Sequence, residues 1–202
     1  MDNTVGRLNQ KLSKLQKSLI IGSILGDGYI RILEGRHDAF LEINHSSKAK
    51  KYVDWKYQIL KNICVSAPKE RVSGVNRKAY RFFTKQSEEI TSLYNLYYKD
   101  KKKIISKTLK LDPVILAVWY MDDGSKTINK DNSKNINIYI NTQQFSMNDQ
   151  KFLLHALREL NIKARLNKDK QYYRIRILKE SINTFMQVID KEMEYSMRYK
   201  MI

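Results

Sequence analysis

The chain has 202 residues, enough for one large domain or two small ones sharing a core, and its 38 lysines and arginines against 21 acids leave a formal charge of +17. Together with 13 tyrosines, that balance points to a polyanionic partner, nucleic acid before an anionic membrane surface. Cys64 is the only cysteine, which excludes an intrachain disulfide and suits a reducing, intracellular setting, and with His37, His45 and His155 scattered it cannot build a structural zinc site; no apolar run reaches the roughly 18 residues of a membrane span.

In chain order, the polar start "RLNQKLSKLQK" lacks an apolar signal core and leaves mitochondrion, chloroplast and bacterial cytoplasm open. "LIIGSILGDGYI" (19–30) predicts an apolar helix that ends in Asp27 and Gly28. Gly22 and Gly26 share one of its faces with Ser23 beside them, so a second backbone can come close. A strand is expected at "FLEINHS" (40–46). The next helix, "KAKKYVDWKYQILKNI", puts Tyr52, Trp55, Ile59 and Ile63 on one face. A strand "RKAYRFFT" (77–84) and a Ser-capped helix "SEEITSLYNLYY" (87–98) follow. The lysines of "YKDKKKII", taken alone, read as a solvated loop.

"PVILAVWYMDDGSK" (113–126) is a second apolar helix, and it ends in Asp122, Asp123 and Gly124. Carboxylates are disfavoured there, because the C-terminal end of a helix carries partial negative charge. Gly124 is expected in the left-handed conformation that closes a helix. After it come a strand "NINIYIN" (135–141), a helix "SMNDQKFLLHALREL" with Ser146 as its N-cap, strands "IKARLNK" and "QYYRIRI", and a helix "SINTFMQVIDKEM".

Placing Asp27 on Asp123 superposes these two series, so the chain reads as an internal repeat. The expected fold is α+β, with two pseudo-symmetric αββαββα halves at residues 1–105 and 106–202, paired central helices and antiparallel sheets. Strict alternation in the strands gives each sheet one buried and one open face. In the second half Asn137, Tyr139 and Asn141, Lys163 and Arg165, and Tyr172, Arg174 and Arg176 fall on the open face, with Lys126 nearby. In the first half Arg31, Glu42, Asn44 and Arg81 are the counterparts. A face so rich in Arg, Lys, Asn and Tyr suits DNA: a β-ribbon fits the major groove, Arg reads guanine, Asn reads adenine, and Glu42 would accept from a cytosine amino group.

Two acids, one per half, would repel a polyanion unless a hard cation sits between them. Mg²⁺ (or Mn²⁺) takes carboxylate and phosphate oxygens together, so Asp27 and Asp123 are candidate metal ligands for phosphodiester hydrolysis.

"IIGSILGDG" (20–28) and "LAVWYMDDG" (116–124) resemble the two signature helices of the LAGLIDADG homing endonucleases, and "INTQQF" with the motif spacing is similar to the two-motif monomeric, omega-type members. The resemblance covers nearly the whole chain, as far as "MRYKM". It implies a monomer with internal pseudo-twofold symmetry, soluble rather than membrane-bound, that binds double-stranded DNA and cuts both strands at a long site. Asp27 and Asp123 fall at the metal-binding catalytic position, and Asp122, at a normally small position, is secondary. Val118 stands where the family usually has glycine, and Leu25 and Met121 replace another acid. The resemblance also implies a basic residue per half near the cleavage centre: Lys102, with Lys103 close behind, and Lys200. The repeat pairs Lys103 with Lys200 (103 − 27 = 76; 200 − 123 = 77), so Lys102 and Lys103 both stay open. Two alternatives stay open as well: a maturase acting on intron RNA, and a catalytically silent DNA-binding regulator of the same fold.

Overall fold

The computed structural model describes residues 11–73, 77–129 and 132–202. Residues 7–10 of "RLNQKLSKLQK" lie outside the described residues. The chain divides into two compact units, Met1–Leu96 and Tyr97–Ile202. Among the described residues no helix is long and apolar enough to cross a membrane.

The first unit opens with helix α1 (Lys14–Leu25), begun by a capping box in which Ser13 and Gln16 satisfy each other's backbone N–H groups. Strands β1 (Tyr29–Ile32) and β2 (Ala39–Ser46), helix α2 (Lys50–Leu60), strands β3 (Lys69–Ser73) and β4 (Arg77–Phe83) and helix α3 (Glu88–Tyr97) follow. The strands form one antiparallel sheet in the order β1-β2-β4-β3. Helix α2 lies on β2 and β4, where Tyr52, Val53 and Leu60 meet Leu41, Ile43 and Phe82, all buried. The helix has an apolar stripe that needs this partner, and the alternating apolar residues of the strands supply it.

The second unit begins with a hairpin of β5 (Tyr98–Lys99) and β6 (Lys102–Lys103). Asp100 (φ 51°) and Lys101 (φ 61°) turn it in the left-handed region, the arrangement that matches the twist of a two-residue hairpin. Helix α4 (Pro113–Asp123) starts on a proline and on the Asp112 carboxylate, which accepts from the Ile115 N–H at 2.8 Å. Strands β7 (Gly124–Asn129) and β8 (Asn132–Ile140), helix α5 (Met147–Glu159), strands β9 (Ala164–Asp169) and β10 (Tyr172–Ile177) and helix α6 (Ile182–Ile189) complete the unit. Its sheet runs β7-β8-β10-β9, the same order as the first when the strands are numbered within each half. Ser146 caps α5 as expected, accepting from the Asp149 N–H. The core gathers Ile138, Ile140, Ile175, Ile177, Leu153, Leu157, Trp119 and Phe185. Each unit therefore follows the expected αββαββα plan.

Candidate functional site

Both acid-bearing helices are buried nearly all round at their C-terminal ends: Leu19, Ile20, Ile24 and Leu25 in α1, and Ile115 through Met121 without a break in α4. Each then hands the chain directly to the first strand of its sheet. Asp27 stands two residues before β1, and Asp123 is the last residue of α4, with Gly124 opening β7. The sharpness of these exits is set by the glycines. The Gly28 N–H donates to the Ser23 carbonyl at 2.7 Å, and a Cβ on Gly28 would lie 2.7 Å from the Ser23 Cβ. A Cβ on Gly124 would overlap the ring and carbonyl of Tyr120. Gly124 is not left-handed, as expected from sequence, but extended at φ −77° and ψ 148°. The position excludes side chains by close approach, not by backbone sign.

The two helix ends are furnished differently. In the first unit the Asp27 carboxylate, half-exposed, has Oδ2 at 3.5 Å from Nδ1 of His45 on β2. His45 is edge-on to Tyr52 with ring centroids 5.4 Å apart, and Tyr52 stacks on Trp55 at 5.9 Å. The Lys56 ammonium, fully buried, lies 4.5 Å from the Tyr52 ring centre. In the second unit Lys200 supplies a counter-charge to the end of α4. Its Nζ donates to the Met121 carbonyl at 2.6 Å and approaches those of Tyr120 and Asp122 at 3.4 and 3.5 Å. A cation at the carbonyl end of a helix is favourable. The Tyr120 hydroxyl donates back to the Lys200 carbonyl at 2.9 Å, and burial, with Tyr199 nearby, pushes that hydroxyl above the usual tyrosine range. The C-terminal segment is thus docked on the end of α4. Lys102 and Lys103 belong to the second unit, Lys102 exposed in β6 opposite Lys99 and Lys103 half-exposed opposite Tyr98.

The sheet faces sort the DNA-reading candidates. In the first unit, cross-strand register sets Arg31, Glu42, Asn44 and Arg81 on the face away from α2, where β3 adds Lys69 and Arg71. Asn44 is exposed, but Glu42 is buried at 7%. It pairs with Arg31 at 2.8 Å and Arg81 at 3.7 Å. Glu42, expected to read cytosine, therefore has one carboxylate oxygen on each of two arginines. In the second unit Asn137, Tyr139, Arg165, Tyr172, Arg174 and Arg176 share one face. Arg174 lies 3.9 Å over the Tyr139 ring centre, and Arg176 donates to the Asn137 side-chain oxygen. Lys163, exposed, precedes β9, and the Asn141 N–H, just past β8, donates to the Asp123 carbonyl at 3.0 Å. Lys126 does not join them. Its register partner is Ile138, so it lies on the helix-covered face, and its ammonium donates to the Met201 carbonyl.

Sequence reasoning missed His45, which alternates onto the core face of β2, and the basic residues of β3. "KERVS" carries Lys69 and Arg71 at strand spacing, but Glu70 and the exposed Val72 blur its alternation.

With known proteins the chain shows these likenesses. Residues 17–185 match the LAGLIDADG DNA endonuclease family. A probable intron-encoded endonuclease 1 of Wickerhamomyces canadensis is 28% identical over 201 residues, covering 95% of this chain and 85% of the relative. The DNA endonuclease I-ChuI of Chlamydomonas applanata is 30% identical over 211 residues, covering 94% of this chain and 95% of the relative. Among solved structures, the homing endonuclease I-WcaI bound to its DNA recognition sequence is 26% identical with a TM-score of 0.86, covering 96% of this chain and 88% of that one.

Proposed function

Because the chain belongs to the LAGLIDADG DNA endonuclease family, we propose that it hydrolyses both strands of a specific DNA site, with Asp27 and Asp123 as its metal-binding acids and the open sheet faces as its reading surface. One observation carries this reading. In each unit a buried helix is followed, at its last residue in α4 and two residues past it in α1, by a carboxylate from which the chain passes into the first strand of a basic four-stranded sheet. Chemistry and recognition are joined within each unit by a rigid backbone rather than a linker, so the base pairs read determine the phosphates reached.

The residues suit a hard divalent ion. Asp27 offers carboxylate oxygens from a half-exposed position, and Asp123 offers the same chemistry at the end of α4. Mg²⁺ or Mn²⁺ takes such ligands while keeping waters and phosphate oxygens. When bound, the ion supplies an activated water and charge stabilisation at the phosphate. The protein's own groups do the rest. Lys200, drawn to the carbonyl end of α4, places a positive charge beside Asp122 and Asp123 and favours an approaching phosphate. Arg165 and Lys163, both exposed, and the arginines of β10 bind backbone and base edges, so affinity falls steeply with salt as counterions are released.

The test is incubation with the DNA that flanks the gene, joined without the insert, with and without Mg²⁺. Linear product cut on both strands only with the metal is the expected result. DNA held with the same affinity from low to high salt, or left intact with the metal present, overturns the proposal.

A further inference from the structure

We infer that Glu42 is a positioning residue that sets DNA specificity by aiming Arg31 and Arg81, rather than a reader of bases itself. The inference rests on the proposed role of the first unit's open sheet face. Glu42 sits at the centre of β2, directly opposite Tyr29 on one neighbouring strand and Phe83 on the other. The two arginines approach it from opposite diagonals, Arg31 from β1 in register with Phe40 and Arg81 from β4 in register with Asn44. Each guanidinium lies over the aromatic ring two residues away on its own strand, Arg31 at 5.2 Å from the Tyr29 centre and Arg81 at 5.0 Å from that of Phe83. The carboxylate divides itself between them: Oε2 takes the Arg31 Nε at 2.8 Å, and Oε1 faces the Arg81 Nη1 at 3.7 Å.

A carboxylate with 7% exposure needs such partners, because an unpaired buried charge is strongly unfavourable. What the arginines gain is direction. Each keeps one ring below it and one oxygen beside it, so few rotamers survive. With the Arg31 Nε engaged, the free edge of that guanidinium is its terminal Nη pair, which fits the O6 and N7 of a guanine end-on. Both heads converge on one carboxylate, so they address the same or neighbouring base pairs. Glu42 also cancels one positive charge on the face, which lowers attraction to any phosphate without regard to sequence. Fixed direction and reduced bulk charge both favour the correct site over random DNA.

Glu42→Gln tests this, because it keeps shape and an acceptor for Nε while removing the charge. On a target library randomised one base pair at a time, the variant is expected to lose at least about 5-fold of its preference at one or two adjacent positions. Its binding to random DNA should rise. Adding Arg31→Ala to Glu42→Gln should cost little further preference at those positions, because the aim is already lost. Loss of preference for cytosine at a single pair, with the Arg31→Ala effect still additive, would make Glu42 a reader and overturn the inference. A lower melting temperature with an unchanged preference profile would make it structural only, and also overturns it. Should Glu42→Gln not fold, Arg31→Ala alone carries the test: here it must also weaken preference at the base pair of Arg81, and a loss confined to its own pair is the refuting result. A wild-type protein with no preference anywhere would defeat the endonuclease reading itself, a distinct failure.

Discussion

The two units share a plan and diverge in how they hold their charges. At the end of α1, Asp27 has an imidazole beside it; at the end of α4, a lysine ammonium from a distant segment is bound to the helix carbonyls. On the sheets, the first unit steadies its arginines with a buried carboxylate, while the second uses a neutral amide, Asn137, and the Tyr139 ring. The repeated elements are those dictated by packing periodicity. The differing ones are the electrostatic partners, which packing periodicity does not dictate.

If the acids are equivalent despite their surroundings, Asp27→Asn and Asp123→Asn should each remove metal-dependent cleavage of both strands, a loss of about 10³-fold or more given the several kcal/mol such an ion supplies. DNA affinity, followed by gel shift, should remain. One single variant that still cuts both strands at the wild-type rate while the other does not ends the equivalence, and a double variant cutting at that rate removes both acids from the chemistry.

The glycines sharpen the contrast next. Gly124→Ala forces a Cβ into the Tyr120 ring and carbonyl, whereas Gly28→Ala meets Ser23 at 2.7 Å. Overpacking of this kind costs about 1–3 kcal/mol, with Gly124 at the upper end and Gly28 at the lower, readable as urea midpoints. The reverse order would show that the second helix exit is the more yielding one.

Lys200→Met should lower stability by about 1–2 kcal/mol, since it strips charge-assisted bonds from the end of α4. His45→Gln, which loses the edge-on ring contact with Tyr52, should cost less, about 0.5–1 kcal/mol. Equal losses would erase the difference between the two helix ends.

The smallest effect at neutral pH lies in buried weak acids. Burial pushes the Cys64 thiol up to about 12 against the opposing pull of Lys85, and burial pushes Tyr97 up to about 12 as well. Burial, then the hydrogen bond to Asp54, does the same for Tyr80. The unfolded chain ionises these groups first, from about pH 8.5 for the thiol and about pH 10 for the tyrosines, so stability falls as pH rises from roughly 9 to 12. At pH 8 the native thiol should resist iodoacetamide until the chain is unfolded. Rapid labelling of native protein would place Cys64 outside the first core.

Much of the fold was legible because apolar spacing announces it: the alternation of Ile136, Ile138 and Ile140 and the stripe of α5 each permit one arrangement. The candidate acids were legible because a carboxylate at a helix C-terminus is misplaced by every local rule. What escaped depends on register and distance. Lys126 follows a helix that runs into its strand without a loop, so its parity is fixed by the exit geometry of Gly124, not by its own neighbours. His45 lies on the inner side of a strand whose outer side drew attention. The hairpin at Asp100 and Lys101 carries neither glycine nor asparagine; Asp tolerates left-handed backbone without requiring it, and Lys101 beside it gives no such signal, so "KDKK" marks the turn only weakly. Lys200 meets Tyr120 across 80 positions of sequence, which no local pattern can encode.

That separation has a consequence during synthesis. A ribosome adding about 5–20 residues per second reaches Lys200 roughly 4–16 s after it has made Asp122, 78 positions earlier. Throughout that interval the nascent second unit carries its acidic helix end without the ammonium that balances it. The first unit has His45 within a second or so of Asp27 at the faster pace. Translation itself therefore matures the two acids in sequence, the first while the polypeptide is short, the second only once the distant lysine has emerged.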